Sequence, residues 1–99
     1  MQVLMDTCKD AGELASLRNL ALGAEALNPA TLAAARRMVP EASVCNCYGP
    51  TEASVMVSTF DTSQYSGSGS VPIGRPIFNM RLYVLDPQSL APLPIGMPG

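Results

Sequence analysis

The feature that most limits the possible folds is a strand, helix and strand pattern of about 30 residues, from Asn19 to Tyr48. Residues 20–22 form a short apolar run that Gly23 ends, which is typical of a buried strand in a mostly parallel sheet. Residues 42–48 predict the second strand. Because such a pattern matches a right-handed unit with two parallel strands, the sequence predicts an α/β fold.

The helix between these strands has a clear start and a clear stop. Asn28 is a favourable N-cap, and Pro29 suits the first helical position, where no backbone N–H is needed. Pro40 ends the helix. Apolar residues at helical spacing predict its buried side, and two cations near its end favour the helix dipole: Leu32, Ala35 and Met38, then Arg36 and Arg37.

The segments outside this unit differ in character. Residues 1–6 resemble the last turns of a helix, and residues 8–16 resemble a polar connection. Residues 55–60 are apolar and β-branched. Residues 61–70 are rich in Ser and Gly and predict an exposed loop.

Two further strands are predicted after this loop, over residues 71–77 and 79–86. Turns are expected at Arg75-Pro76 and at Asp86-Pro87. The second strand alternates two sets of side chains: Met80, Leu82 and Val84 against Arg81, Tyr83 and Leu85. Residues 87–99 are rich in Pro and Gly and predict a tail of turns without a packed partner.

The composition excludes several classes of function. The chain of 99 residues is 47% hydrophobic and 14% charged, with a net charge of −2, whereas an average soluble domain is about 25% charged. The basic residues are scattered, so we expect no nucleic-acid partner. No apolar run approaches the about 18 residues of a membrane span, and the N-terminus lacks a signal-peptide pattern. We therefore expect a cytoplasmic protein without a membrane partner.

The three cysteines, Cys8, Cys45 and Cys47, are too few for a closed four-ligand zinc site in a sequence without histidine. Cys45 and Cys47 stand two residues apart in the second predicted strand, so they share one face of it. Small thiols often fill buried positions. We therefore expect Cys45 to be a reduced structural residue.

The seven residues that end this strand combine a ring, a turn, a hydroxyl and a carboxylate: Asn46-Cys47-Tyr48-Gly49-Pro50-Thr51-Glu52. Gly49 allows close approach of the main chain, and Pro50 biases it away from helix, so the chain turns here. Tyr48 offers a flat face, Thr51 a hydroxyl for phosphate, and Glu52 a hard oxygen ligand for Mg²⁺. Since open α/β sheets bind ligands at the carboxyl ends of their strands, this position predicts a nucleotide site.

A simpler interpretation of the same run is a surface turn that begins a helix. In it, Thr51 is the N-cap and Glu52 lies in the first turn, where a carboxylate favours the helix dipole. Turn chemistry alone accounts for the glycine and the proline.

The seven-residue run resembles the Asn-x-Tyr-Gly-Pro-Thr-Glu motif of the adenylate-forming enzymes, in the form typical of adenylation domains of nonribosomal peptide synthetases. Two further segments resemble the same family in the same order, residues 17–25 upstream and residues 73–77 through 83–86 downstream. The resemblance implies a part of the large N-terminal α/β lobe, followed by strands of a β-rich subdomain. It implies three regions: a partial α/β subdomain over residues 1–60, the loop over 61–70, and the start of the β-rich subdomain over 71–99.

Such enzymes couple a carboxylate to ATP, release pyrophosphate and hold an acyl adenylate. In peptide synthetases the aminoacyl group then passes to the phosphopantetheine thiol of a carrier domain, beside a condensation domain. The resemblance therefore implies a ligase that uses ATP, Mg²⁺ and an amino acid. Positioning and charge neutralisation dominate such chemistry, so no protein nucleophile is expected.

The resemblance also implies roles for individual residues. Tyr48 would stack on adenine, Thr51 would contact the α-phosphate, and Glu52 would bind Mg²⁺. The adenine pocket would be completed by Asn46 and by the backbone of three residues after the first strand: Gly23, Ala24 and Glu25, where Ala24 replaces a glycine common in the family. Alternatively, Asn46 caps a turn, Tyr48 fills a core and Gly23 only ends a strand.

Five apolar positions correspond to the lining of the substrate pocket in the family: Leu20, Leu22, Cys47, Val55 and Met56. A pocket built from them would accept a hydrophobic side chain, because a polar group would lack a partner. The alternative for these five residues is ordinary core packing.

The chain lacks the family's phosphate loop, ribose-binding aspartate, hinge and C-terminal lysine. We therefore expect the isolated chain to be inactive. Two alternatives stay open at this point, a relative that activates aryl or fatty acids toward coenzyme A, and a non-catalytic truncated remnant.

Overall fold

The computed structural model describes residues 11–98, which contain one helix and a four-stranded sheet in the order β1-β2-β3-β4. The helix is α1, Pro29–Met38, and the strands are β1, Asn19–Leu22; β2, Ser43–Tyr48; β3, Ser58–Asp61; and β4, Arg75–Pro76. β1 and β2 are parallel, whereas β3 is antiparallel to both β2 and β4. The predicted α/β fold with a strand, helix and strand unit is confirmed.

The start of α1 follows the sequence prediction. The side-chain oxygen of Asn28 accepts a hydrogen bond of 2.8 Å from the backbone N–H of Thr31, and Pro29 is the first helical residue. At the other end the backbone N–H of Val39 still donates to Ala35, before Pro40 follows. Because both ends are fixed locally, the helix occupies the predicted span.

The core lies between α1 and one face of the sheet. Parallel register places Leu20 beside Val44 and Leu22 beside Asn46, so these side chains share the face that α1 covers. The buried cluster unites residues from both strands, the helix and a later segment: Leu22, Leu27, Leu32, Ala35, Val39, Val44 and Val71. Burial of this apolar surface is the main force that joins the helix to the sheet.

The opposite face of the sheet is partly open. Cys45 and Cys47 lie there, half-buried and unoxidised, with Asp61 and Thr59 as their partners on β3. Burial raises the pKa of the Cys45 thiol, and the neighbouring Cys47 adds to the effect. The prediction that the two cysteines share a face is confirmed, although neither is fully buried.

The two strands predicted after the loop are largely wrong. Of residues 71–77 only Arg75–Pro76 pair with the sheet, and of residues 79–86 only Leu85 forms a bridge, with Pro92. Gly74 and Asn79 have positive φ, which breaks an extended run, and prolines lack the N–H that a sheet needs. Residues 79–86 therefore have the apolar alternation of a strand, but no neighbouring strand of the described chain pairs with them.

The predicted loop over residues 61–70 is also partly wrong. Asp61 closes β3, and a 3₁₀ turn follows over Thr62–Gln64. The Thr62 side chain is buried, and its hydroxyl donates a hydrogen bond of 2.7 Å to the carbonyl of Val44. A guanidinium N–H of Arg36 donates to the carbonyl of Thr62. These contacts fix the start of the segment to β2 and α1, and residues 65–70 form the remaining loop.

Near the N-terminus, Ala11–Leu14 form a 3₁₀ turn inside the predicted polar connection, and Leu14 and Leu17 pack against the core. The helix end predicted over residues 1–6, and Cys8, lie outside the described residues. Within residues 11–98, no helix has the length and apolar character that a bilayer crossing requires.

Candidate nucleotide site

A cavity of about 460 Å³ lies at the carboxyl end of β2. One wall is the end of that strand and the turn after it, and a second wall is the segment after β1, residues 24–27. Val71 and Ile73 form a third wall. Its volume falls within the range of about 300–1,000 Å³ that is usual for small-molecule sites.

Asn46 and Tyr48 both contribute to this cavity from β2. The Asn46 side chain is buried, and its amide donates a hydrogen bond of 2.8 Å to the carbonyl of Pro72. That bond connects β2 to the wall formed by Val71 and Ile73. Tyr48 is 46% exposed, so its ring does not fill the core, and part of the side chain remains accessible.

The turn after β2 depends on Gly49. A Cβ at this position would lie 2.5 Å from the carbonyl oxygen of Val55 and 2.7 Å from the Cα of Met56, so only glycine fits. The backbone then returns to the strand, since Val55 donates to the carbonyl of Pro50, and Val57 donates to that of Tyr48. The loop thereby holds the end of β2 in place.

The alternative in which Thr51 caps a helix is wrong. Residues Thr51–Ala53 form a single 3₁₀ turn, Pro50 occupies the cap position, and no side chain caps the turn. Ser54 and Val55 follow with positive φ, which prevents a helix from continuing. A left-handed β-branched residue such as Val55 is uncommon, and such conformations concentrate at functional sites.

The segment after β1 contacts β2 closely. A Cβ on Gly23 would lie 2.6 Å from the carbonyl oxygen of Cys47, so glycine is required for the two strand ends to approach. Ala24 has a φ of 74°, which turns the chain toward the cavity. Ala24 and Glu25 line the cavity, whereas Gly23 lines a neighbouring one of about 150 Å³ with Glu25 and Leu22.

Thr51 and Glu52 are exposed and follow directly on the cavity wall, which ends at Pro50. In the part of the chain that the structure describes, no three Cys, Asp or Glu side chains form a metal cluster. Glu52 is therefore a single carboxylate beside the cavity rather than a member of a metal cage.

The five residues predicted for a substrate pocket are not brought together. Leu22 belongs to the core and Leu20 packs against it, which matches the core-packing alternative. Cys47 lines the cavity at the carboxyl end of β2, and Val55 and Met56 are exposed after the turn. Within residues 11–98 these positions do not line a common cavity, and the pocket stays a prediction.

The wall formed by Val71 and Ile73, together with Ala26 and Leu27, was not predicted from the sequence. The apolar run Val71-Pro72-Ile73 directly after a Ser- and Gly-rich loop was the available signal. This run is not a strand: the Asn46 side chain binds the carbonyl of Pro72 and so joins the run to β2.

Comparison with known proteins agrees with the motif. The chain matches the family described as AMP-binding enzyme over residues 1–99. It is 41% identical over 91 residues to surfactin synthase subunit 2 of Bacillus subtilis. The matched region is 92% of the chain and 2% of that protein. It is 37% identical over 92 residues to tyrocidine synthase 2 of Brevibacillus parabrevis, covering 93% of the chain and 2% of the relative.

A third relative is phosphinothricin tripeptide synthetase of Streptomyces viridochromogenes, 43% identical over 84 residues, or 85% of the chain and 7% of that protein. The chain thus spans only a small part of each of these relatives. The family match, the relatives and the cavity at the end of β2 agree. The chain belongs to the AMP-binding enzyme family, on the branch formed by the adenylation domains of nonribosomal peptide synthetases.

Proposed function

We propose that this chain forms part of the nucleotide site of an amino-acid-activating adenylation domain. The reaction is the attack of an amino-acid carboxylate on the α-phosphate of ATP, which gives an aminoacyl adenylate and pyrophosphate. The observation that supports it is one cavity, at the carboxyl end of β2, which both Asn46 and Tyr48 line. Ligand sites of open α/β sheets occupy this position.

The adenine end of ATP fits this cavity. The half-exposed ring of Tyr48 offers a stacking face, and base stacking on an aromatic ring contributes about 1–3 kcal/mol. Ala24 and Glu25 bring backbone groups to the opposite wall, where Gly23 keeps the two strand ends close. Asn46 is fixed by its bond to Pro72, so it shapes the pocket with little loss of side-chain entropy on binding.

Thr51 and Glu52 are assigned to the phosphate end. The Thr51 hydroxyl is exposed and suits a hydrogen bond to a phosphate oxygen. Glu52 fits Mg²⁺ as one carboxylate, because Mg²⁺ bound to ATP is held by one or two carboxylates, by phosphate oxygens and by waters. When bound, Mg²⁺ neutralises phosphate charge, and the protein residues position the groups that react.

The amino acid and the partners are assigned from the family. Cys47, Val55 and Met56 are the candidates for contact with a hydrophobic substrate side chain, while Leu20 and Leu22 support β1 from the core. The carrier domain with its phosphopantetheine thiol, the condensation domain and a cytoplasmic location belong to the same proposal. The relatives described above are peptide synthetases, which does not favour an aryl- or acyl-coenzyme A ligase.

Titration of the full chain with a fluorescent ATP analogue and Mg²⁺ tests the site. We expect Tyr48→Ala to weaken binding about 5- to 150-fold, the range that corresponds to a loss of about 1–3 kcal/mol of stacking. Tyr48→Phe keeps the ring and should bind within about twofold of the original chain. The matched control is Tyr83→Ala, which removes an exposed tyrosine outside the cavity.

Equal weakening by the Tyr48 and Tyr83 substitutions would show that the analogue binds nonspecifically. The reaction itself requires a second measurement, amino-acid-dependent exchange of labelled pyrophosphate into ATP by the complete adenylation domain that contains this sequence. Glu52→Gln should lower that exchange and raise the Mg²⁺ concentration for half-maximal rate. If the variant's exchange keeps the original Mg²⁺ dependence, Glu52 does not belong to the proposed site.

A further inference from the structure

We propose that Ile73 contacts the base of the bound nucleotide and sets how tightly the cavity at the carboxyl end of β2 holds it. Ile73 lines this cavity from the segment that follows the Ser- and Gly-rich loop, outside residues 46–52. The inference rests on the proposed function, because it concerns the same cavity, and it adds a contact to that site. It also makes Asn46 a positioning residue, which acts through the segment that carries Ile73.

The lining of this cavity suits an uncharged ring better than a phosphate chain. In the part of the chain that the structure describes, the lining contains one carboxylate, Glu25, and neither arginine nor lysine. A phosphate in the cavity would therefore be repelled by Glu25 and would have no cation to neutralise it. Most of the lining is apolar: Ala24, Ala26, Leu27, Pro50, Val71 and Ile73. Such a surface binds the base of a nucleotide rather than its phosphates.

The backbone that carries Ile73 is fixed on both sides. Directly before it, the carbonyl of Pro72 accepts the hydrogen bond of 2.8 Å from the side-chain amide of Asn46. Directly after it, Gly74 lies so close to the carbonyl of Thr59 that a Cβ on it would not fit. The position of Ile73 relative to β2 and β3 is therefore fixed by the protein before a ligand binds.

The Ile73 side chain nevertheless remains accessible. It is 46% exposed, whereas Val71, two residues earlier, is 6% exposed and belongs to the core. Because its backbone is already held and its branched side chain has few rotamers, little entropy is lost when a ligand covers it. A base in the cavity would bury apolar surface of Ile73 on one wall and of Tyr48 on another. Each contact adds to the affinity for the base, and neither involves a phosphate.

Asn46 can act on the base through this segment. Its side chain is 3% exposed, and its amide N–H donates to the carbonyl of Pro72. This bond joins β2, which carries Tyr48, to the segment that carries Ile73. Without it the two walls would lose a direct connection, so the distance between Tyr48 and Ile73 would be less well defined.

Titration of the full chain with adenosine, followed by ligand-observed NMR, tests the inference without phosphate or metal. Ile73→Ala should weaken binding about three- to tenfold, because the burial of about half of an isoleucine side chain is lost. Ile73→Val removes less apolar surface and should weaken binding by a smaller factor. The matched control is Ile95→Ala, which truncates an exposed isoleucine outside the cavity and should leave the affinity within about twofold.

A double-mutant cycle tests the positioning role of Asn46. Asn46→Ala should weaken adenosine binding about threefold or more in the original chain, but less than about twofold in the Ile73→Ala chain, where the contact that it positions is already lost. The same loss in both backgrounds would show a general structural role for Asn46 and overturn the positioning role. Weaker binding by Tyr48→Ala together with unchanged binding by Ile73→Ala would overturn the inference and leave the proposed function standing. Absence of adenosine binding by the original chain would overturn both.

Discussion

The first two thirds of the described chain and its C-terminal third use apolar side chains in opposite ways. Between Asn19 and Tyr65 one core forms around α1, where Leu32 is 2% exposed, although Val55 and Met56 in the turn after β2 are exposed. After β4 they face solvent, with Phe78 at 99% and Leu90 at 68% exposure. The difference follows from backbone pairing, because the earlier strands pair with each other and the later segment pairs mainly with itself.

The later segment is held by local bonds. Leu93 donates to the carbonyl of Val84, and Asp86 and Ala91 are joined by a backbone bond of 2.9 Å. These contacts close a turn without burying its apolar side chains. Hydrogen bonds thus define the path of this segment, whereas burial stabilises the sheet and α1.

The largest effect on stability is expected from a substitution at Leu32, in the core. Leu32→Ala should lower the free energy of unfolding by about 2–5 kcal/mol, because it leaves a cavity in the core. Leu90→Ala is the matched control and should change it by less than about 0.5 kcal/mol, since the side chain is already exposed. Urea unfolding followed by circular dichroism measures both. A similar loss in the two variants would mean that the C-terminal segment shares the core.

A smaller effect is expected from glycines with positive φ in the two regions. At Gly74, which precedes β4, a Cβ would lie 1.9 Å from the carbonyl oxygen of Thr59. Gly74→Ala should therefore destabilise the chain by about 3 kcal/mol and separate β4 from β3. A Cβ at Gly96 would have no atom within 4 Å of it. Gly96→Ala should therefore cost only a conformational strain of about 1 kcal/mol.

Thermal unfolding of both glycine variants checks this difference. Hydrogen exchange at Ile77, whose N–H donates to the carbonyl of Val57, shows whether β4 has separated. If Gly96→Ala proves the more harmful of the two, the C-terminal segment is packed more tightly than its exposure indicates.

The cap of α1 should have a smaller effect still. Asn28→Ala removes the acceptor for the N–H of Thr31 and should cost about 1 kcal/mol. Asn28→Ser keeps an acceptor and should recover most of that loss. Chemical denaturation of the three chains measures the difference. An unchanged stability in the alanine variant would show that core packing alone fixes the start of the helix.

The features predicted best from the sequence are those that depend on residues close together in the chain. The cap at Asn28, the proline start of α1 and the stop near Pro40 all act within a few residues, and their outcome was foreseen. The first two strands were predicted from apolar runs on either side of that helix. The motif at residues 46–52 likewise identified one wall of the cavity, since a turn after a strand is a local event.

What depends on distant contacts could not be predicted in the same way. Residues 79–86 have the alternation of a strand, but a strand also requires a partner, and pairing is not visible in a single segment. The burial of Thr62 depends on the carbonyl of Val44, 18 residues earlier. The wall at Val71 and Ile73 depends on the bond from Asn46 to Pro72, which joins positions 26 residues apart.

The smallest expected effect concerns two exposed carboxylates, one in each region. A hydrogen bond from the backbone N–H of Ser63 holds the pKa of Asp61 below its ordinary value, with a contribution from Arg36. A hydrogen bond from the backbone N–H of Ser89 does the same for the pKa of Asp86. A carboxylate whose pKa is lower in the folded chain stabilises it above the unfolded pKa of about 3.9.

That stabilisation is lost as the pH falls through the folded pKa, so unfolding should become easier below about pH 4. Asp61→Asn should reduce this acid sensitivity, because Asp61 ends a strand of the sheet that unfolds with the core. Asp86→Asn should reduce it less, since its partners Gln88 and Ser89 lie in a turn that contributes little to the core. Urea midpoints between pH 7 and 3 measure the two slopes. Equal slopes would mean that both regions unfold as one unit, despite the exposed surface of the second.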